Sequence, residues 1–187
     1  MGKFHDSIKQ AHKDFIQQQH IFFVSTAPLS GDGRVNLSPK GLDCFQVLSD
    51  TKVGYMDLIS SGNETSAHTL ENGRITFMFT SFEGAPNILR LYGKGFTVLP
   101  STPSWEEYAP HFTIYAISKK LFIADIDFIQ IACAFGVPRF NYVAERPIHS
   151  EQTKKKGKDG LYDYVQQNNL KSLDGLATDL GVQQNAE

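Results

Sequence analysis

The sequence predicts a mainly β protein, an antiparallel barrel or sandwich with only a few short helices. Six or seven short runs rich in β-branched and aromatic residues follow one another along the 187-residue chain, and frequent turn signals separate them. Stretches with helical spacing are few and short, so the alternating strand–helix rhythm of a doubly wound sheet is absent. Because 41% of the residues are hydrophobic, the chain can bury a core, and we expect one domain over residues 1–187.

The first third of the chain predicts one helix and four strands. Residues 6–19 predict an amphipathic helix, capped by Asp6 or Ser7, whose apolar positions are Ile8, Ala11, Phe15 and Ile16. The runs HIFFVSTAPL and RVNLSPKG flank SGDG at 30–33, which predicts a hairpin with an Asp-Gly turn. Residues 45–58 predict two further short strands.

The rest of the chain predicts a short helix at 61–73 and three long apolar strands. Residues 74–82 read as a strand buried on both faces, and residues 88–99 as a strand whose glycines mark a bulge or a close backbone approach. The third strand begins at Leu121, after one helical turn around Trp105. A short C-terminal helix and a tail are expected within residues 160–187.

Composition limits the classes of partner. The chain has 18 basic and 20 acidic residues, so no global field favours nucleic acid or an anionic membrane. Cys44 and Cys133 form neither a disulfide framework nor a zinc pair, and the six histidines lack metal-ligand spacing. The polar N-terminus is unlike a signal peptide, and no apolar run approaches the roughly 20 residues that cross a bilayer. We therefore expect a cytoplasmic protein without a metal site.

The stretch Gly54–Gly73 carries the strongest functional signal. It reads as a strand, a loop of small polar residues, and a short helix closed by Gly73. Free backbone N–H groups and the positive end of the helix dipole make such a loop a site for an anion. NLSPKG at 36–41 and RLYGKG at 90–95 each add a cation among small residues on a predicted strand. Together these segments indicate a phosphorylated cofactor on a β scaffold.

Each of these residues also has a structural interpretation. Ser61 and Glu64 have the spacing of a capping box, which would stabilise the helix without any ligand. Lys40 could simply be solvated, whereas Arg90 lies among large apolar residues and needs either a polar face or an anionic partner. Structural roles are also the plainer interpretation of three others, namely a turn role for Arg139, packing or hydrogen bonding for His68, and a core position for Trp105.

The order of these segments resembles the pyridoxamine 5'-phosphate oxidase-like proteins. NLSPKG, a strand ending at SGNET, AHTLENGRITFMF and ILRLYGKG follow one another as in that family, and the resemblance covers roughly residues 21–98. GVPRFNYVAER at 136–146 also resembles a C-terminal element of its flavoprotein branch. The resemblance implies a six-stranded antiparallel split barrel that binds flavin mononucleotide (FMN) between the two subunits of a homodimer.

The resemblance also implies roles for single residues. Ser38 and Lys40 would lie beside the isoalloxazine ring, with Pro39 between them in the same cofactor-binding set. The phosphate would lie at the start of the short helix, surrounded by Asn63, Glu64, Thr65 and Ser66. Arg90 would reach the cofactor from a neighbouring strand, in the partner subunit. Lys40 would place a positive charge near the pyrimidine end of the ring.

The chain departs from true pyridoxamine-phosphate oxidases at the phosphate loop. Those enzymes carry a Ser-Arg-Lys type sequence where this chain has Glu64, Thr65 and Ser66, and their substrate-binding arginine and histidine have no clear equivalent here. The interpretation is therefore a flavin-dependent oxidoreductase of unknown small substrate, with its catalytic residues unassigned. The alternatives are a non-catalytic flavin-binding or sensing protein, or a relative that binds haem or a deazaflavin.

Overall fold

The structure is a computed structural model that describes residues 2–59, 63–115, 117–146 and 160–184. In this part of the chain one antiparallel sheet contains eight strands. They are Lys3–His5 (β1), Phe22–Thr26 (β2), Asn36–Lys40 (β3), Phe45–Val47 (β4), Lys52–Leu58 (β5), Arg74–Thr80 (β6), Asn87–Val98 (β7) and Ser118–Cys133 (β8). The helices are Gln10–Gln17 (α1), Glu64–Glu71 (α2), Ser104–Tyr108 (α3), residues 160–168 (α4) and Asp179–Gln184 (α5), with a 3-10 turn at Ala109–His111.

The predicted mainly β class is confirmed, but the number of strands differs from the expected six. The order in the sheet is β3-β2-β6-β7-β8-β5-β4, and β1 pairs with β8. Strand β7 lies along one edge of β8, while β5 and then β1 share the other edge. Strand β1 was not predicted from the sequence, because a three-residue strand is too short to show a period.

The core lies on the face of the sheet formed by alternate residues of β2, β5, β6, β7 and β8. Its fully buried members include Val24, Tyr55, Phe77, Leu91 and Phe122. Tyr55 stacks on Phe122 with a 5.1 Å separation of ring centroids, and Phe22, Phe45 and Phe79 pack edge to face or stacked around them. Trp105 packs against this core, which confirms its expected structural position. Among the described residues, no helix has the length and apolar character needed to cross a membrane.

The N-terminal helix begins later than predicted. It starts at Gln10 with Lys9 at the N-cap position, and the backbone amide of Lys9 donates to His12 Nδ1 at 3.1 Å. Asp6 and Ser7 therefore do not cap it, since the chain first forms β1 and then turns. The predicted hairpin is present as β2 and β3, but nine residues connect the strands instead of a two-residue turn.

Of two predictions about the long strands, one needs correction and the other is confirmed. Strand β6 is buried on one face only, and Thr76 and Met78 on its other face are half-buried. The glycines of β7 were predicted to mark a bulge or a close backbone approach, and Gly93 shows both, since a bulge follows Tyr92 and the backbone of β8 lies close to Gly93. The predicted C-terminal helix is present at residues 160–168.

Candidate functional site

A cavity of about 1120 Å³ opens beside the end of β3. Its walls come from the end of α1 and the following turn, the β3–β4 connection, the end of β5 and the two loops at 82–84 and 140–146. The lining is mostly apolar and includes Met56, Leu58 and Ile59, with Lys40 as a cation in the wall. Ligand pockets typically enclose roughly 300–1,000 Å³, so this cavity is large enough for a ring-containing cofactor.

Strand β3 supplies two of the predicted cofactor residues to the cavity. Pro39 and Lys40 line it, whereas the Ser38 hydroxyl turns back and donates to Asn36 Oδ1 at 3.0 Å. Lys40 Nζ lies 5.6 Å from the centre of the Tyr55 ring, which is a favourable cation–π position. The β3 part of the prediction therefore corresponds to a real cavity wall.

Asp57 on β5 joins Lys40 to a second lysine. Its Oδ1 accepts from Lys40 Nζ at 3.1 Å, and its Oδ2 lies 3.2 Å from Lys119 Nζ. Burial alone would raise the pKa of Asp57, but the positive charges of Lys119, Lys40 and Lys120 outweigh that effect and hold this pKa well below its usual range. Asp57 is therefore a permanently charged centre at neutral pH.

A β-bulge brings Lys119 and Lys120 to the same place. Asp57 lies opposite Lys120, and Leu58 lies opposite Ser118, so Lys119 is an extra residue in β8. A bulge re-aims the side chain of the extra residue, and both lysines are buried as a result. Burial lowers the pKa of Lys120 to about 8, although the nearby carboxylates of Asp179 and Asp57 oppose this effect.

The start of α2 lies at the other end of this lysine pair. Asn63 occupies the N-cap position, so Glu64 is the first helical residue and not the third, as a capping box would require. Ser61, the other member of the proposed box, lies outside the described residues, as do the other residues of 60–62. Glu64 instead accepts from the backbone amide of Leu173 at 3.3 Å.

The remaining predicted phosphate residues make protein contacts in this structure. Asn63 Nδ2 donates to the carbonyl oxygen of Asn169 at 2.7 Å, and Asn63 Oδ1 accepts from Lys119 Nζ at 3.4 Å. Thr65 Oγ1 accepts from Asn36 Nδ2 at 3.0 Å, which links α2 back to β3. Ser66 Oγ donates to Asp179 Oδ1. Asn63, Thr65 and Ser66 are all buried.

Two polar networks therefore connect most of the predicted site. One runs from Lys40 through Asp57 and Lys119 to Asn63, and the other from Ser38 through Asn36 to Thr65. The same region holds His68, whose Nδ1 lies 2.9 Å from Thr26 Oγ1, as expected for a hydrogen-bonding residue. Burial lowers the pKa of His68.

Arg90 lies apart from both networks. Its neighbours in β7, Leu89 and Leu91, are buried in the core, so Arg90 points to the opposite face of the sheet, between Met78 and Gln130 in register. The sequence had left this polar-face position open. Arg139 is exposed on the stretch after β8. Neither residue lines the cavity.

Four charged residues of this region were not singled out from the sequence. They are Asp57, Lys119, Lys120 and Asp179. Asp57, Lys119 and Lys120 offered one signal, since each lies beside an apolar strand run where a charge is unusual. Asp179 offered none, because its partner Ser66 lies 113 positions earlier in the chain.

Part of the site fits a flavin, and part is occupied by the chain itself. The apolar cavity and Lys40 suit a planar ring with a polar edge. The α2 start and the lysines of β8 suit a phosphate, but the segment 160–184 (the C-terminal segment) covers them. Among the described residues, no group of three His, Cys, Asp or Glu side chains could hold a metal ion.

Comparisons with known proteins place the chain in a family context. The family model described as pyridoxamine 5'-phosphate oxidase matches residues 8–131. The pyridoxamine 5'-phosphate oxidase family protein ustO of Aspergillus flavus is 35% identical over 195 residues, which is 94% of this chain and 77% of that protein.

Two solved structures are similar in fold. The H111A variant of HupZ from Group A Streptococcus has a TM-score of 0.51 at 20% identity, over 67% of this chain and 99% of that one. A Lactobacillus delbrueckii protein provisionally assigned as a pyridoxamine 5'-phosphate oxidase has a TM-score of 0.51 at 9% identity, over 67% of this chain and 94% of that one. At these identities the likeness concerns the fold alone.

Proposed function

The chain belongs to the pyridoxamine 5'-phosphate oxidase family, and we propose that it binds FMN and acts as a flavin-dependent oxidoreductase on a small substrate. The observation that carries this proposal is the apolar cavity with Lys40 in its wall, next to a buried group of lysines and the start of α2. The cavity offers space for a ring system, and the lysines offer positive charge for a phosphate.

The residues have distinct roles in this proposal. Pro39 and Lys40 would hold the ring, and Asn63, Glu64, Thr65 and Ser66 would surround the phosphate. A flavin, when bound, supplies hydride or electron transfer, which the protein cannot supply itself. Lys40 fixes a positive charge in the cavity wall, where it favours negative charge at the pyrimidine end of the ring. Asp57 holds the Lys40 ammonium in place.

A non-catalytic flavin-binding or sensing protein is the second candidate. The observation that favours it is that the C-terminal part of the chain covers the start of α2. Slow access of the ligand to a covered site is tolerable in a sensor, which does not need repeated turnover. Turnover separates the two candidates. An oxidoreductase reduces or oxidises its flavin with a substrate in repeated cycles, whereas a sensor binds flavin without turnover.

The flavin contact of Lys40 is tested by Lys40→Met. We expect this variant to bind FMN about 5- to 150-fold more weakly, which corresponds to the roughly 1–3 kcal/mol of a charged hydrogen bond. Lys94→Met is the matched control, because Lys94 is an exposed lysine on β7 whose ammonium donates to the carbonyl oxygen of Asn72 at 2.9 Å. Calorimetric titration measures both. Equal FMN affinities for the two variants and the wild type would contradict the role of Lys40.

The proposal includes a homodimer formed through the outer face of the sheet. Phe4 on β1 and Phe128 on β8 are 58% and 45% exposed, and their rings stack at 5.4 Å. Tyr92 packs against Phe128 beside them. Exposed apolar faces of this kind mark association surfaces, and a two-fold axis here would pair the face with itself.

Arg90 belongs to this outer face, so in a dimer it could reach only the partner's cofactor. We expect Arg90→Ala to weaken FMN binding while the protein still sediments as a dimer, because the apolar contact remains.

Phe128→Glu should instead disrupt the dimer and yield monomers, since it places a charge in the apolar contact. Sedimentation velocity with flavin titration checks both variants. A wild type that sediments as a monomer at micromolar concentration would contradict the dimer.

A further inference from the structure

The carboxylate of Asp179 lies where the proposed phosphate is expected. Its Oδ1 accepts hydrogen bonds from the Ser66 hydroxyl and from Lys120 Nζ. The backbone amide of Asp179 donates to Ser66 Oγ at 3.2 Å. A carboxylate bound by a lysine ammonium and by the hydroxyl of a serine in the first turn of a helix uses the same kinds of side-chain donor that bind a phosphate.

The charges around this carboxylate do not balance. The charged groups here are the ammonium groups of Lys40, Lys119 and Lys120 and the carboxylates of Asp57 and Asp179, so three positive charges face two negative ones. The two buried lysines, Lys119 and Lys120, balance the two buried carboxylates, and the surplus charge lies on Lys40, whose side chain is 22% exposed in the cavity wall. An anion with two negative charges in place of the Asp179 carboxylate would neutralise this surplus.

Asp179 also satisfies the site incompletely. Asp179 is only 7% exposed. Within the described residues its second carboxylate oxygen, Oδ2, has no hydrogen-bond partner. A buried acceptor without a donor reduces stability by about 1–3 kcal/mol in general. Among the described residues, the Asp179 carboxylate is therefore bound through one of its two oxygens.

The fully buried side chains of the C-terminal segment are polar. They are those of Asn169, Ser172, Thr178 and Asp179, whereas its apolar side chains are half-buried or exposed, as Leu173 is at 77%. No described residue of the segment belongs to the hydrophobic core cluster. Asp174 and Arg34 form an ion pair that fastens its outer side to the β2–β3 connection. Because polar contacts can be exchanged for water at small net cost, the segment can leave without loss of the core.

From these observations we propose that Lys119, Lys120 and Ser66 form a phosphate-binding site at the start of α2, and that the Asp179 carboxylate occupies this site as an internal competitor. A phosphomonoester and the C-terminal segment then bind the same donors in turn. This inference deepens the proposed function, on which it rests for the identity of the phosphate carrier. The affinity of the site for phosphate itself is independent of that identity.

The test uses the full chain with Asp179→Asn, titrated calorimetrically with inorganic phosphate at constant ionic strength and with chloride as the control anion. We expect phosphate to bind at least tenfold more tightly than to the wild type, because the competitor has lost its charge. Adding Lys120→Met to this variant should abolish the gain. In parallel, FMN affinity should rise at least tenfold more than the affinity for riboflavin, which lacks the phosphate.

A second variant acts from outside the site. Asp174→Ala breaks the ion pair with Arg34 without touching the phosphate donors, and we expect it to strengthen phosphate binding by about threefold or more. This variant decides the question if Asp179→Asn does not fold. Unchanged or weaker phosphate binding in the folded variants would overturn the proposal, as would equal gains for FMN and riboflavin. A phosphate gain in variants that bind no flavin would support this site and contradict the proposed flavin function instead.

Discussion

Asp57→Asn should lower the free energy of unfolding by about 3–5 kcal/mol, the usual result of removing one partner from a buried ion pair. Asp57 is 4% exposed and lies within 3.2 Å of two lysine ammonium groups. Asparagine preserves the volume of the side chain but removes the charge. The Lys119 side chain, itself 4% exposed, would then keep a buried positive charge without its counter-ion.

Asp125→Asn is the matched control for this change. Asp125 also pairs with a lysine at 3.1 Å, but its side chain is 62% exposed, so its loss should cost less than about 1 kcal/mol. Urea unfolding monitored by circular dichroism measures both variants. Similar losses for the two variants would show that the buried pair adds no more than a surface pair.

The stability of the wild type should also fall on acidification through Asp57. Because its pKa is held below the ordinary value of 3.8, the folded protein keeps this group charged where the unfolded chain protonates it. The stabilisation is therefore complete above that value and is lost as the pH falls below it. The Asn variant should lose less stability than the wild type between about pH 5 and pH 3.

Gly93→Ala should also lower the free energy of unfolding strongly. A Cβ atom at Gly93 would lie 2.0 Å from the carbonyl oxygen of Asp125 and 3.0 Å from Ile126 Cα. Both atoms belong to the backbone of β8, so no side chain can move aside. The bulge between β7 and β8 would have to open, and overpacking of this kind costs about 1–3 kcal/mol or more.

Gly31→Ala separates this steric effect from the general effect of replacing glycine. Nothing lies within 4 Å of a Cβ atom at Gly31, which is an exposed loop residue. We expect the change in its free energy of unfolding to stay within about 0.5 kcal/mol. Thermal unfolding of both variants provides the comparison, and equal midpoints would contradict the steric account of Gly93.

The sequence predicted those parts of the fold that depend on local pattern. Strands β7 and β8 and the polar start of α2 all appear close to the predicted positions. Lys40 was found because a cation on a short strand among small residues is unusual. In each case the signal lay within a few consecutive residues, where period and composition suffice.

The parts that the sequence did not predict depend on contacts between distant residues. Alternation along a regular strand would place Lys119 and Lys120 on opposite faces, and only the bulge opposite Asp57 brings them together. The pairing of Ser66 with Asp179 joins residues that are 113 positions apart in the chain. Arg90 was ambiguous because its strand could present it to either side until the core position of Leu91 was known.

The absorbance spectrum of the purified protein, recorded before and after incubation with FMN, tests the central claim most directly. We expect flavin bands in the blue, and release of the bound cofactor by heat should yield the mononucleotide by mass. Calorimetry should then show FMN binding more tightly than the dinucleotide. A Soret band, or a protein that stays colourless and takes up no FMN, would contradict the assignment.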